Sequence, residues 1–163
     1  MFYKESYRLS RTRYNSISSK EQLYYSRNQT MSKSLNKEII IYDGICVLCN
    51  YFIRFILKKD TKAHFKATNL QSDFTKKEYP EILAVDSVAV ILEDGKILQK
   101  SKAVYYILQK VKILFFLRIL IYIFPTFFSN IVYDIIALIR YKLFGKYPHC
   151  PILKGDLKNR IIE

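Results

Sequence analysis

Cysteine is scarce in this chain: three in 163 residues, an odd number. A disulfide-stapled secreted scaffold uses a larger, even set, so that class is excluded. A secretory leader is missing too. Residues 1–30 hold no continuous apolar core; Ser, Tyr, Arg and Asn dominate, with Leu and Ile scattered among them. That pattern argues against Sec export. No uncharged run approaches the roughly 20 residues of a membrane-spanning helix. The longest, Ile119–Tyr133, has 15 and contains a Pro and a Ser-Asn pair. Trp is absent, so Phe and Tyr supply all aromatic side chains. There is no internal repeat and no low-complexity tract. Acidic residues are few, 14 against 27 Lys and Arg, for a formal charge of +13.

The basic excess is spread along the chain. The first 36 residues carry seven Lys/Arg against Glu5 and Glu21, and the remainder carries 20 against 12. No concentrated stripe marks a nucleic-acid surface, so no nucleic-acid partner is expected. A solvated surface accounts for most of the charge; the functional alternative is attraction to an anionic membrane surface or an acidic partner. Residues 1–36 are expected to be a disordered basic leader, since they cannot bury enough apolar surface to offset the entropy of ordering. An Arg-rich, acid-poor leader also fits an organellar transit peptide. A third reading starts the protein at Met31.

From residue 37 onward half-apolar sequence supports a folded core. Glu38–Tyr42 reads EIIIY, a buried strand, and Asp43-Gly44 breaks it with turn chemistry. Cys46–Lys59 carries Leu48, Phe52, Phe55 and Ile56 at the spacing of one helical face, widened by Ile53 and Leu57. His64–Thr68 predicts a second strand. Ser72-Asp73 caps a helix that Pro80 stops. Ser87–Leu92 and Lys96–Gln99 flank Asp94-Gly95 as a hairpin. Ser101 is then expected to cap a helix with Val104, Ile107, Leu108 and Val111 on one face. The order β-α-β-α-β-β-α over 37–111 is that of an α/β, thioredoxin-like domain. Residues 112–163 form a C-terminal apolar helical extension, interrupted at Pro125 and ended at Gly145. The expectation is two helices packed on the core, burying Phe115, Leu117, Leu120, Ile135 and Leu138; a membrane-surface element is the alternative.

Two of the three cysteines, Cys46 and Cys49, sit three residues apart where the helix opens. Unpaired N–H groups and the helix dipole stabilise a thiolate at that end. One turn of helix lets Cys49 close a disulfide with Cys46. The roles follow: Cys46 attacks, Cys49 resolves and is the more buried. A zinc site is the competing reading, with His64, His149 or Cys150 as further ligands, though no second CxxC is present. Asp43 either shapes the turn or accepts a proton from Cys49. The path of the Pro-flanked Cys150 is not fixed by local sequence.

Asp43-Gly44-Ile45-Cys46-Val47-Leu48-Cys49 resembles the Asp-x-x-Cys-x-x-Cys signature of the DCC family of thiol–disulfide oxidoreductases. The likeness continues through Phe55-Ile56-Leu57, Asp60, Leu70-Gln71-Ser72, Asp94-Gly95-Lys96, Ser101-Lys102-Ala103, Arg140-Tyr141-Lys142, Phe144-Gly145 and Cys150. It implies protein-disulfide oxidoreductase activity and supplies no substrate; the dithiol itself calls for a disulfide-containing protein or a small thiol, with no cofactor. It names no electron donor. The expected location is cytoplasmic, at a membrane periphery if the basic surface is used, with organellar targeting by residues 1–30 as the alternative. Thioredoxin's cis-proline position is taken here by Ser87, after Asp86.

Overall fold

A computed structural model describes residues 37–84, 87–151 and 155–162, together with positions 23 and 26. The expected leader apart from those two positions, the Met31 start and Asp86 therefore lie outside the described residues.

The sheet has four strands in the order β2-β1-β3-β4: β1 Glu38–Tyr42, β2 Phe65–Asn69, β3 Ala89–Ile91 and β4 Ile97–Gln99. β1 pairs parallel with β2 and antiparallel with β3, and β3 pairs antiparallel with β4. All five β1 residues are buried, because helices cover both faces. Ile40 and Tyr42 join Ile53, Ile56, Ile107 and Leu108 on one face; Ile39 and Ile41 join Tyr79 and Ile82 on the other. Among the described residues the helices are α1 Val47–Lys59, α2 Asp73–Glu78, α3 Pro80–Leu83, α4 Lys100–Val111, α5 Phe115–Ile123 and α6 Thr126–Phe144, before a 3-10 turn at Gly155–Arg160. The mixed α/β order and sheet topology are those of the thioredoxin-like fold.

Local differences have local causes. β2 begins at Phe65, one residue late, because the Asp60 carboxylate accepts the N–H groups of His64 and Phe65 and holds the α1–β2 corner. Pro80 stops α2 but also opens α3, as its missing N–H suits a first turn. Ser101 is not the cap of α4. The cap is Gln99, without a side-chain bond, and the Ser101 hydroxyl lies 2.5 Å from the Asn130 amide oxygen of α6 instead.

The largest departure is the extension. α5 and α6 form where expected and both pack against α4 more than on each other. Yet α5 buries no residue, and α6 buries only Arg140 among its described side chains. Phe115, Leu117, Leu120, Ile135 and Leu138, expected inside, are all exposed, Leu138 at 81 %. The helices are apolar around most of their circumference, and contact with α4, and for α6 also with α1, covers only a strip of each. No described helix is long and apolar enough to cross a membrane.

Candidate active site

The β1–α1 corner is built for a sharp, dense turn. Gly44 sits where any side chain collides: a Cβ there would lie 2.5 Å from the Cys150 sulfur, 2.8 Å from Asn69 Cβ and 2.8 Å from Gln71 Oε1. The Gly44 N–H donates to Gln71 Oε1 at 2.9 Å, and Gln71 Nε2 donates to Asp43 Oδ1 at 3.1 Å. Asn50, buried on α1, donates its amide to the carbonyls of Gly44 and Cys46. The turn is thus clamped from β2's loop on one side and from α1 on the other.

That turn sets Cys46 as the N-cap of α1, with extended backbone (φ −75°, ψ 122°). Its sulfur accepts the Cys49 N–H at 3.2 Å, the role usually taken by a Ser or Asp oxygen. The Cys49 thiol also donates to Cys46. These bonds, with the Arg140 guanidinium nearby, pull the Cys46 thiol down to about 7, against burial and Asp43, which raise it. The Cys49 thiol moves the other way, raised by its bond to Cys46, by burial and by the Cys46 charge.

Exposure is the reverse of the expectation. Cys46 is 0 % exposed, while Cys49 is half-buried. The cause is distant in sequence. After α6, Gly145 (φ 85°) turns the chain back, Lys146 pairs antiparallel with Cys46, and the Tyr147 N–H donates to the Ile45 carbonyl at 2.8 Å. This strap lies over Cys46. It continues to Cys150, which reaches the turn beside Gly44 and hydrogen-bonds the Tyr42 hydroxyl; burial, with Asp43 nearby, raises the Cys150 thiol. His149 is exposed.

Asp43 is buried, and both its oxygens are engaged. Oδ1 accepts from Ile45 N–H at 3.2 Å as well as from Gln71; Oδ2 accepts from Arg140 at 3.1 Å and from the Tyr141 hydroxyl. Arg140 is 4 % exposed and lies 4.7 Å over the Tyr141 ring. Arg140 and Tyr141 belong to the motif string noted in the sequence, but nothing local there signals that α6 delivers them to Asp43, 97 positions away. Burial, then the bond to Asp43, raises the Tyr141 hydroxyl to about 12.

A ligand atom from each of Asp43, Cys46 and Cys49 lies within 4.8 Å of the others. A zinc ion would need a fourth ligand, and neither His64, His149 nor Cys150 belongs to this group. The carboxylate is already paired with a guanidinium, whose charge opposes a cation there. The trio fits thiol chemistry better than metal binding.

On the far side of Cys49 a cleft of about 550 Å³ opens between α1, α4, α5 and α6. Its walls include Leu48, Phe52, Val104, Leu120, Phe128 and Val132, and Cys49, Asp43 and Arg140 also border it. Of the two cysteines, Cys49 is the one that borders this cleft.

Comparison with known proteins agrees with the geometry. Residues 40–146 match the DCC1-like thiol-disulfide oxidoreductase family. The chain is 31 % identical over 135 residues to the uncharacterised protein YuxK of Bacillus subtilis (strain 168), covering 80 % of this chain and 98 % of that one. It is 28 % identical over 127 residues to a chloroplastic DCC family protein of Arabidopsis thaliana, covering 71 % and 70 %. No solved structure matches it. The match takes in the end of β1, the cysteine pair, the other three strands and the Asp43–Arg140–Tyr141 cluster, and the chain belongs to the DCC1-like thiol-disulfide oxidoreductase family.

Proposed function

We propose that the protein exchanges electrons with disulfides of proteins or small thiols, as a reductase of the protein-disulfide type, with Cys46 as nucleophile and Cys49 as resolving thiol. The observation that carries this reading is the polarised pair: one sulfur caps a helix and accepts the N–H of the other cysteine, and its thiol is drawn down while the other is raised. The Cys46 thiolate attacks a substrate disulfide, forms a mixed disulfide and expels one thiolate. Cys49 then gives up its proton and attacks the Cys46 sulfur. The second substrate thiolate leaves, a Cys46–Cys49 disulfide remains, and two electrons have passed to the substrate.

Asp43 accepts the Cys49 proton in this scheme, directly or through one water, since its carboxylate lies within 4.8 Å of both sulfurs. Arg140 and Tyr141 hold that carboxylate in place and are positioning residues. Cys150 takes no part in the exchange, which two thiols complete. The exchange needs the strap to lift from Cys46, because a sulfur with no exposed surface cannot reach an external disulfide. Neither direction of flow in the cell nor the electron donor enters the scheme.

The test is disulfide reduction with full-length variants. Cys46→Ser should abolish turnover, Cys49→Ser should stall as a trapped mixed disulfide on Cys46, and Cys150→Ser should keep most activity. Turnover by Cys46→Ser, or a trapped adduct on Cys49 in place of Cys46, overturns the assignment.

A further inference from the structure

We propose that the outward faces of α5 and α6 dock into the interfacial region of an anionic lipid bilayer. Side chains turned away from that cleft are strongly exposed: Phe116 86 %, Leu138 81 %, Phe127 70 %, Ile123 67 %. None of these four borders the cleft. Other residues of the same helices, such as Leu120 and Val132, do border it. The helices are therefore apolar both toward the cleft and away from it. A helix apolar on opposite sides is stable in a protein core or in lipid, and α4, which borders the cleft, leaves the outward side uncovered. Scattered surface apolar residues need no partner, but a continuous face over two helices does.

Charge selects the occupant. Between residues 112 and 144 the sole carboxylate is Asp134, and Lys100 neutralises it at 2.8 Å. Lys112 before α5 and Lys142 near the end of α6 are exposed cations. A second copy of the chain would bring like charges to the rim of the contact, whereas anionic headgroups complement them. Spanning is excluded for these helices: nine residues of α5 reach only about 14 Å, and α6 carries Asp134 and Arg140. The fitting depth is shallow, with aromatic and aliphatic side chains at the acyl boundary and lysines at the headgroups.

The chain has no Trp, so Phe127→Trp gives a single indole reporter in the otherwise intact protein. Flotation with phosphatidylglycerol–phosphatidylcholine vesicles, alongside pure phosphatidylcholine vesicles, should carry the protein upward only with the anionic set. The indole should shift to the blue and be quenched by acyl-brominated lipid. Lys112→Gln with Lys142→Gln changes two exposed side chains and leaves the core alone; it should weaken partitioning roughly 25-fold, about fivefold per lysine. Three results overturn the proposal: no flotation with anionic vesicles, flotation without acyl quenching, or a vesicle-free dimer whose interface shields the indole. The assay reads no thiol chemistry, so its failure leaves the disulfide-exchange reading standing, and the reverse holds too.

Discussion

Cys46 and Cys49 are the same residue type within one helical turn, and the direction of two hydrogen bonds makes them different acids. Cys46 accepts from both the N–H and the thiol of Cys49. Its thiol falls from 9 to about 7 and that of Cys49 rises. Alkylation by a small reagent should accordingly rise with a midpoint near pH 7 at Cys46, with Cys49 silent well beyond it; peptide mapping after timed quenching separates the two. The same displacement is a stability statement. Cys46 ionises near 7 when folded and near 9 when unfolded, so the reduced fold gains stability as pH rises from about 7 to 9 and loses it as pH falls through 7. The full span is worth about 3 kcal/mol. Above 9 the unfolded chain can ionise Cys49 and the fold cannot, which reverses the trend. Thermal midpoints of reduced wild type and Cys46→Ser should diverge between pH 7 and 9; parallel curves would refute the assignment. Gly44 supports this arrangement by being small. Gly44→Ala drives a methyl against the Cys150 sulfur, Asn69 and Gln71, and should cost about 1–3 kcal/mol, typical of overpacking. Urea unfolding measures it, and the penalty should shrink when combined with Cys150→Ala.

At the scale of elements, one helix does two jobs. α6 sends Arg140 and Tyr141 inward to Asp43, and its exit turn at Gly145 lays the strap across Cys46. The strap hangs on few bonds, notably the Tyr147 N–H to the Ile45 carbonyl. Tyr147→Pro deletes that donor. A net hydrogen bond is worth about 1 kcal/mol, so the strap should open roughly fivefold more often, and Cys46 alkylation by a bulky maleimide should speed up by that factor. An unchanged rate would mean that the strap does not gate access. The sequence revealed β1, the Asp43-Gly44 turn, α1 and the two cysteines at its start because those depend on neighbours within a few positions. The hairpin at Asp94-Gly95 was readable for the same reason. Strap and ion pair were not readable, since they join residues about a hundred positions apart and hydropathy carries no record of partners. The buried order of the two cysteines was inverted on that account: helix geometry alone makes Cys49 face inward, and only the strap makes Cys46 the covered one. For α5 and α6 the apolar pattern foretold helices that need covering. It could not say that α4 covers so little of them.

On the scale of the whole molecule, the chain closes on itself at the end of α1 opposite the cysteines. The C-terminal segment lies along β2, where Ile161 bridges Ala67 in parallel and the Ile162 N–H donates to the Ala67 carbonyl at 2.8 Å. It thereby covers a sheet edge that would otherwise offer free backbone groups. Arg160 fastens it. Its guanidinium donates to the carbonyls of Leu57, Asp60 and Phe65 and forms an ion pair with the Asp60 carboxylate, which is 1 % exposed. One side chain thus ties the end of α1, the start of β2 and the C-terminus together. Arg160→Ala leaves Asp60 as a buried charge without its cation, and breaking such a pair costs about 3–5 kcal/mol. For a domain of this length the thermal midpoint should fall by roughly 10 °C. Asp60→Asn in the same chain removes the stranded charge and should recover part of the loss, with a coupling of order 1 kcal/mol or more. Because this staple grips the far end of α1, the Cys46 alkylation midpoint should stay near pH 7 in Arg160→Ala below its melting range. A large pH shift there, or an unchanged melting point, would show that the two ends of α1 are not independent or that the staple carries no weight. The expected outcome is a protein that melts early yet keeps its thiol chemistry intact until it does.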